Sequence, residues 1–157
     1  GWYWDPVQQL TLVKLAASSG DRTVVLDGVD KAAYEAEFAE QTGVGVNDDH
    51  PGFTGTGFVD GFETTGDAVE FEVWVDEAGT HDLVFRYGNG AATAANRAVI
   101  IDGGAATTLA FPARSGWADW GTASLPVTLS AGRHTVSLAY ASGSSGGINL
   151  DHVRLER

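Results

Sequence analysis

The sequence contains no cysteine and no methionine, and only four prolines. Without cysteine the chain has no disulfide, no zinc thiolate site and no cysteine nucleophile. Because it lacks methionine and begins at Gly1, we expect it to be a processed or excised piece of a longer protein. No apolar run approaches the roughly 18 residues that a membrane-spanning helix requires, and no signal peptide is visible. The sequence therefore predicts no membrane span.

Basic residues are also scarce: nine stand against 21 acidic residues, which gives a formal net charge of −12. Such a charge repels phosphate backbones and anionic membranes, so nucleic-acid binding is not expected. An acidic surface is compatible with cation binding. Acidic residues can equally serve solubility alone.

A chain of 157 residues is long enough for one domain with a sizeable core. Twenty-one glycines, five tryptophans and no long helical periodicity favour many short strands joined by tight turns, and therefore an all-β class. Residues 1–30 differ in texture from the remainder. They are interpreted as an N-terminal extension or linker, as added strands, or as the tail of a preceding domain, and residues 31–157 as the main domain.

Alternation of apolar and polar side chains predicts a half-buried strand most clearly over residues 68–75. We expect residues 82–87 to form a hairpin with it, across a turn at residues 77–80. Eight or nine strands at this spacing fit a β-sandwich of two antiparallel sheets. The other strand-like runs are residues 10–15, 23–26, 34–39, 57–59, 98–101, 107–111, 123–129, 135–140 and 149–155.

Two carboxylates stand two residues apart in the motif Tyr34-Glu35-Ala36-Glu37. In an extended strand Glu35 and Glu37 would share a face, an arrangement that suits a hard cation. If the first and last strands of the sandwich adjoin, Asp151 would add a third oxygen donor. The alternative is an acidic edge strand that discourages pairing with other chains. The motif alone leaves both interpretations open.

Several motifs occur together in a characteristic order between residues 34 and 155. In this range the chain resembles the carbohydrate-binding modules of family thirty-five and, more loosely, those of family six. The resemblance implies a jelly-roll β-sandwich with a structural calcium ion, attached to a secreted enzyme that degrades polysaccharides. The motifs are Tyr34-Glu35-Ala36-Glu37, Gly55-Thr56-Gly57-Phe58-Val59, Gly66-Asp67-Ala68-Val69-Glu70-Phe71, Trp117-Ala118-Asp119-Trp120 and Ile148-Asn149-Leu150-Asp151.

The resemblance also implies the ligands of that calcium ion. They are Glu35, Glu37 and Asp151, together with carbonyl oxygens from the loop over residues 54–57, including Thr54. A calcium ion at this place would join the first and last strands and stabilise the sandwich.

By the same resemblance, the sugar binds in loops at one end of the sandwich, here residues 44–53, 88–96, 114–120 and 142–149. Trp117 is implied to stack on the apolar face of a sugar ring and Asn149 to hydrogen-bond its hydroxyls. Trp117 could instead cover the end of the core, and Asn149 could cap backbone groups. Trp120 is expected in the core.

Many relatives in the resembled family recognise uronic acids, in some cases through a second calcium ion. Candidates for that second site lie in loops expected to converge, although a plain polar loop is nearly as good an interpretation. The partner ring opposite Trp117 is left open among three residues, and Arg86 or Arg97 could instead pair with a sugar carboxylate. The second-site candidates are Asn47, Asp48, Asp49, His50 and Asn89, and the ring candidates are His50, Phe53 and Tyr87.

The resulting prediction is a non-catalytic, calcium-dependent, secreted and monomeric module that targets a catalytic domain in cis to polysaccharide, with uronic acid or related sugar units as ligand. Glu35 and Glu37 could meet the carboxyl spacing of a glycosidase, but they are better placed to bind a cation. No nucleophile elbow or phosphate loop appears. A second hypothesis is an adhesive or structural domain, because the aromatic run Trp2-Tyr3-Trp4 could mark an interface.

Overall fold

The computed structural model describes residues 2–5, 10–13 and 33–157. These residues form thirteen strands and one short 3₁₀ helix. In chain order they are β1 (Trp2–Asp5), β2 (Leu10–Val13), β3 (Ala33–Glu35), the 3₁₀ helix (Ala36–Phe38), β4 (Glu40–Thr42), β5 (Gly45–Asn47), β6 (Phe58–Asp60), β7 (Ala68–Val75), β8 (Gly79–Gly88), β9 (Ala95–Ile101), β10 (Thr107–Phe111), β11 (Gly121–Leu129), β12 (Gly132–Ala139) and β13 (Asn149–Glu156).

Two antiparallel sheets make up the main body. One has the strand order β10-β9-β12-β7-β4, and the other has the order β11-β8-β13-β6-β5 with β3 paired to β13. The all-β sandwich expected from the sequence is therefore confirmed. Near the N-terminus, β1 and β2 pair with each other as a separate antiparallel hairpin. The strand expected at residues 23–26 lies outside the described residues.

The core lies between the inner faces of the two sheets. Along β7, Phe71 and Val73 are buried while Trp74 points to solvent, as strand alternation requires. From the opposite sheet, Phe85 packs edge-on against Phe111, with ring centroids 6.2 Å apart. Each fully buried side chain of this size contributes roughly 1.5–3 kcal/mol relative to an exposed one, so these positions dominate the stability of the fold.

Two expectations about local structure were wrong. The strands β7 and β8 do not form a hairpin, because β7 pairs with β12 and β4 while β8 pairs with β11 and β13 in the other sheet. Residues 34–39 are not one strand either. The strand ends at Glu35 and the 3₁₀ helix follows, with the Ala39 amide donating to the Ala36 carbonyl at 3.2 Å. Across the described ranges, no helix is long and apolar enough to cross a membrane.

A histidine–aspartate pair joins the turn after β9 to the start of β12. His134 Nδ1 lies 2.6 Å from Asp102 Oδ2, and Asp102 Oδ1 accepts the Thr135 amide at 2.9 Å. His134 Nε2 lies 3.0 Å from the Ser130 carbonyl and 3.2 Å from the Ser130 hydroxyl. Since a carbonyl oxygen only accepts, Nε2 must donate and cannot take the hydroxyl proton. These residues are therefore a structural clamp and not a catalytic triad.

The protonated histidine and the ionised aspartate stabilise each other. The hydrogen bond that His134 donates to Asp102 raises the pKa of His134 and lowers the pKa of Asp102. The histidine contribution is complete below its ordinary pKa of 6.5 and is lost as pH rises through the raised value. The aspartate contribution is present above 3.8 and is lost as pH falls through the lowered value. The clamp is therefore strongest between the ordinary pKa of the aspartate, 3.8, and the ordinary pKa of the histidine, 6.5.

We predict that Asp102→Asn lowers the melting temperature more at about pH 5.5 than at about pH 9, because the charged pair exists only at the lower of these values. Thermal melts of the unmodified protein and of Asp102→Asn at these two pH values measure the effect. Glu72→Gln is the matched control, since it removes an exposed carboxylate that pairs with Arg133 at 3.1 Å. An equal loss at both pH values would contradict the charged clamp.

Candidate functional site

Three acidic side chains converge where the beginning and the end of the sandwich meet. Glu35 ends β3 and is paired with His152 of β13, which places Asp151 beside it. Thr54 bridges the acids: its amide donates to Asp151 Oδ1 and its hydroxyl donates to Glu35 Oε2, each at 2.9 Å. Glu37 reaches the same loop from the 3₁₀ helix. The structure thus brings together the predicted set, although through a helical turn and not through one strand face.

Glu37 is held by the loop over residues 54–57. Its Oε1 accepts the Thr56 amide at 2.6 Å and the Gly57 amide at 3.3 Å. Its Oε2 is buried and has no hydrogen-bond partner within the described part of the chain. Gly55 lies close by at φ 65°, and a Cβ there would stand 2.1 Å from Glu37 Oε1. Only glycine leaves this carboxylate its space.

Asp151 is fully buried and its charge is compensated on several sides. Arg86 forms an ion pair with Oδ2 and donates its second terminal nitrogen to the Gly52 carbonyl at 2.8 Å. His152 Nδ1 lies 3.2 Å from the same Oδ2. Burial alone raises the pKa of Asp151, but the hydrogen bonds from His152, Arg86 and Thr54 outweigh burial and leave this pKa below its ordinary value.

Glu35 behaves in the opposite way, since burial raises its pKa and the Thr54 hydroxyl only partly offsets this. One ligand atom each from Glu35, Asp151 and His152 lies within 4.8 Å of the others. A cation bound here would stabilise the ionised form of Glu35, whose pKa is raised, and would give the unpaired Oε2 of Glu37 a partner. Carboxylate oxygens are what a hard divalent cation prefers, so Glu35, Glu37 and Asp151 are the residues that fit one. The sequence analysis missed His152, because its proximity arises only from the β3–β13 pairing.

A second feature is a pocket of about 230 Å³ at the loops that follow β5 and β6 and precede β13. It contains three of the predicted ligand residues, together with a segment after β6 that the sequence analysis did not select. The lining residues are His50, Asp60, Gly61, Phe62, Glu63, Trp117, Gly147, Ile148 and Asn149.

The indole of Trp117 is seated on glycine backbone. A Cβ at Gly90 would lie 2.6 Å from Trp117 Cγ, and one at Gly147 would lie 3.3 Å from Cη2, so both neighbours must be small for the ring to lie flat. The His50 ring is nearly parallel to the indole, at an interplanar angle of 21° and a centroid distance of 6.4 Å. Trp117 is half-buried, which leaves part of its ring open to the pocket.

Asn149 supplies an unusual polar group to this pocket. The residue is 4% exposed, and among the described residues nothing accepts from its Nδ2. A buried donor without a partner costs about 1–3 kcal/mol, so it needs a compensating role. An amide of this kind on a pocket wall is ready to donate to a ligand oxygen.

Other predicted binding residues lie elsewhere. Tyr87 and Asn89 are buried and satisfied: the Tyr87 hydroxyl donates to the Pro112 carbonyl at 2.9 Å, and Asn89 Nδ2 donates to the Phe111 carbonyl at 2.9 Å. Phe53 packs against the Phe58 ring, with centroids 5.9 Å apart. These three residues do not line the pocket.

The acidic loop before His50 is organised by its own turn. Asn47 Oδ1 accepts the Asp48 amide at 2.8 Å and the Asp49 amide at 3.3 Å, and its Nδ2 lies 3.4 Å from Asp60 Oδ2. Asp48 is exposed. The Asn89 side chain is buried and bonded within the protein, so of the candidates for a second metal site only Asn47, Asp48, Asp49 and His50 remain together in one loop.

Two further expectations concern aromatic and basic residues. Trp120 is half-buried and not in the core, since its Nε1 donates to the Pro51 carbonyl at 3.0 Å and its ring lies 5.3 Å from the Arg86 guanidinium. Arg86 is bound to Asp151 and to the Gly52 carbonyl, so it is a structural partner and not a free group for a sugar carboxylate. Arg97 is fully buried and bound to backbone carbonyls, so it does not offer its charge to the pocket.

The segment over residues 60–63 forms the wall that sequence reasoning missed. Asp60 ends β6, and Gly61 turns the chain at φ 84° so that Phe62 and Glu63 face the same pocket. The available signal was an Asp-Gly pair directly after a short apolar strand, which is typical of a turn. Nothing in the sequence links that turn to Trp117.

Comparison with known proteins adds the family context. The family model described as carbohydrate binding module family 35 matches residues 32–157. The chain is 49% identical to an isomaltosyltransferase of Sporosarcina globispora over 99% of this chain and 14% of that protein. It is 42% identical to a cycloisomaltooligosaccharide glucanotransferase of Niallia circulans over 98% of this chain and 17% of that protein. The chain thus spans less than a fifth of the length of these relatives.

A solved structure shows the same relationship. A Listeria monocytogenes EGD-e protein in complex with α-D-glucose, β-D-glucose, magnesium and calcium is 41% identical, with a TM-score of 0.78, over 100% of this chain and 15% of that chain. The family match covers most of this chain and agrees with its β-sandwich. The chain therefore belongs to family 35 of the carbohydrate-binding modules, which are normally non-catalytic parts of larger enzymes.

Proposed function

We propose that this module binds a neutral α-glucan of the isomaltooligosaccharide type in the Trp117 pocket and so holds a catalytic domain in cis against its substrate. The observation that carries the proposal is the unpartnered, buried amide of Asn149 in the same pocket as the half-open indole of Trp117. A pyranose ring offers C–H groups for the indole and oxygens for the amide.

The charge of the pocket favours a neutral sugar over a uronic acid. Asp60 and Glu63 line it, and no lysine or arginine is among the described residues that line it. A sugar carboxylate would meet like charge there, whereas sugar hydroxyls can donate to these carboxylates. The names of the two relatives point to isomaltosyl units as well. Uronic acid recognition would need a bridging cation near Asn47 and Asp48, and it remains the alternative ligand class.

The pocket also limits how much sugar is held. Its volume of about 230 Å³ is below the roughly 300–1,000 Å³ of sites that enclose a drug-sized ligand. It suits one sugar unit or a chain end, and such contacts are individually weak. Tethering to an enzyme raises the effective concentration of the module at its ligand, so weak binding is sufficient. In this proposal the module is monomeric and is secreted together with its catalytic domain. In this proposal residues 1–30 are the linker or extension and residues 31–157 the module.

We also propose a structural calcium ion held by Glu35, Glu37 and Asp151 with an oxygen of Thr54. Three carboxylates and the unpaired Glu37 Oε2 support it, as does the calcium in the Listeria structure. The ion would join β3, the 3₁₀ helix, β13 and the loop over residues 54–57. Its role would be stability, because none of these four residues lines the sugar pocket.

We predict that Trp117→Ala and Asn149→Ala each weaken binding of isomaltotriose at least about tenfold, equivalent to the roughly 1.4 kcal/mol of one lost buried contact. Isothermal titration calorimetry measures the affinities. The matched control is Trp74→Ala, because Trp74 is 61% exposed on the outer face of β7 and should leave binding unchanged.

The same titrations with glucuronic acid oligomers, with and without calcium, test the alternative ligand. Calcium-dependent binding of the uronic acid alone would overturn the neutral-glucan proposal. Silence of the unmodified protein across a broad set of glycans would favour the adhesive hypothesis.

Calcium is expected to raise the melting temperature. A ligand at about 100 times its Kd adds about 2.7 kcal/mol, which corresponds to roughly 5–10 °C for a chain of this size. Excess chelator should remove this shift, and Glu37→Gln should abolish the response. Asp48→Asn is the comparison variant and should keep it. A chelator-insensitive melting curve would be evidence against the ion.

Gly55→Ala tests the cradle around Glu37 independently of added metal. We expect it to be less stable than Gly103→Ala by roughly 1–3 kcal/mol, the usual cost of overpacking. Both glycines have φ 65°, so the backbone strain is matched, but a Cβ at Gly103 meets nothing within 4 Å. Denaturant unfolding of the two variants gives the difference. Equal stabilities would mean that the Glu37 side chain can move aside for the added methyl group without cost.

A further inference from the structure

We infer that Arg97 is a positioning residue for sugar recognition, which fixes two walls of the Trp117 pocket from behind without touching the ligand. The inference rests on the proposed function of that pocket. Arg97 lies in β9 with no exposed surface, yet it does not line the pocket. A buried arginine is costly unless its donors are paired, and here both terminal nitrogens are paired while Nε has no partner among the described residues. The partners of the terminal nitrogens therefore show what Arg97 stabilises.

The first wall is the loop that leads into β13. Arg97 Nη1 donates to the Ser145 carbonyl at 2.9 Å, and Nη2 donates to the Gly146 carbonyl at 2.8 Å. The residues that follow directly are Gly147, on which the Trp117 indole rests, and Asn149 with its unpartnered amide. The guanidinium therefore fixes the backbone immediately before the two groups that would meet the sugar.

The second wall is the segment after β6. Arg97 Nη2 lies 3.4 Å from the Phe62 carbonyl, and its guanidinium carbon lies 5.1 Å from the centre of the Phe62 ring. Asp67 secures the far end of this segment by accepting the Glu63 amide at 2.8 Å and the Thr64 amide at 2.7 Å. Arg97 therefore contacts both walls, although the two segments are far apart in the sequence.

The chemistry of the guanidinium suits this task. It is also flanked by the Tyr140 ring at 5.0 Å and donates to the Asn96 carbonyl at 2.7 Å. Burial lowers the pKa of Arg97 to about 10, so it stays charged at neutral pH. A planar fork with five donors can reach carbonyls on two loops at once, whereas the ammonium of a lysine directs three donors from one point.

A purely structural role would make a different prediction, and Val99 provides the comparison. Val99 is buried in the same strand two residues further on, where it belongs to the hydrophobic core and does not line the pocket. If Arg97 only stabilised the sandwich, Val99→Ala would weaken sugar binding as much as Arg97→Lys at a similar loss of melting temperature. The carbonyls bound by Arg97 predict instead that only the Arg97 variants affect the pocket.

The test compares Arg97→Lys, Arg97→Gln and Val99→Ala with the unmodified protein, each at a temperature where it is fully folded. Isomaltotriose affinity is measured by calorimetry, and amide hydrogen exchange is followed over residues 61–64 and 145–149 without ligand. We expect the Arg97 variants to lose affinity at least about tenfold and to exchange faster in both segments. Val99→Ala should stay within about twofold in affinity.

Equal effects of the Arg97 and Val99 variants, or unchanged affinity and exchange in Arg97→Lys, would overturn the inference. Failure of both Arg97 variants to fold would also overturn it, because the residue would then determine the whole sandwich. If the unmodified protein binds no isomaltotriose, the proposed ligand is wrong. The exchange data then still decide whether Arg97 orders the two walls.

Discussion

The arrangement of this module depends on the burial of one charge, the Asp151 carboxylate in β13. A buried carboxylate must be compensated, and the compensation comes from separate parts of the chain: Arg86 of β8, His152 beside it and Thr54 from a distant loop. The contacts of Arg86 and Thr54 each tie a different segment to β13. Removing the carboxylate would therefore take away the contacts that join Thr54 and Arg86 to β13.

The strand β13 contributes one residue to the pocket and another to the acidic cluster. Its register shifts between Leu150 and His152, so the pairing with β8 is interrupted at Asp151. On one side of this irregularity Asn149 lines the Trp117 pocket, and on the other Asp151 joins the acidic cluster. Two residues along one strand thus serve two purposes. A cation at the cluster would rigidify the strand that carries Asn149 without contacting the ligand.

Sequence periodicity predicted well which face of a strand is buried, but it did not predict which strands pair with each other. The bounds of β7 and β10 agree with the predicted runs over residues 68–75 and 107–111, because alternation reports which side of a strand is buried. Alternation contains no information about which strand lies alongside, and so the expected hairpin of β7 with β8 was wrong. The short strands β4 and β5 have three residues each, too few for any period to be read.

The site shows the same limit at the level of single residues. The acidic motif was found because its members stand together in the sequence, yet its geometry depends on the 3₁₀ helix at Ala36–Phe38. His152, Glu63 and the role of Arg97 were missed because each depends on contacts between segments far apart in the chain. Arg97 and Ser145, for example, are 48 positions apart. No local pattern encodes such a contact.

The distribution of positive charge links these observations to the ligand. Arg86 is committed to Asp151, and Arg97 is committed to carbonyls behind the pocket. These two guanidinium groups therefore serve the protein itself, while the carboxylates of Asp60 and Glu63 remain at the pocket wall. A pocket built in this way attracts hydroxyl donors and repels anions. The proposed preference for an uncharged glucan therefore rests on where the arginines are already bound.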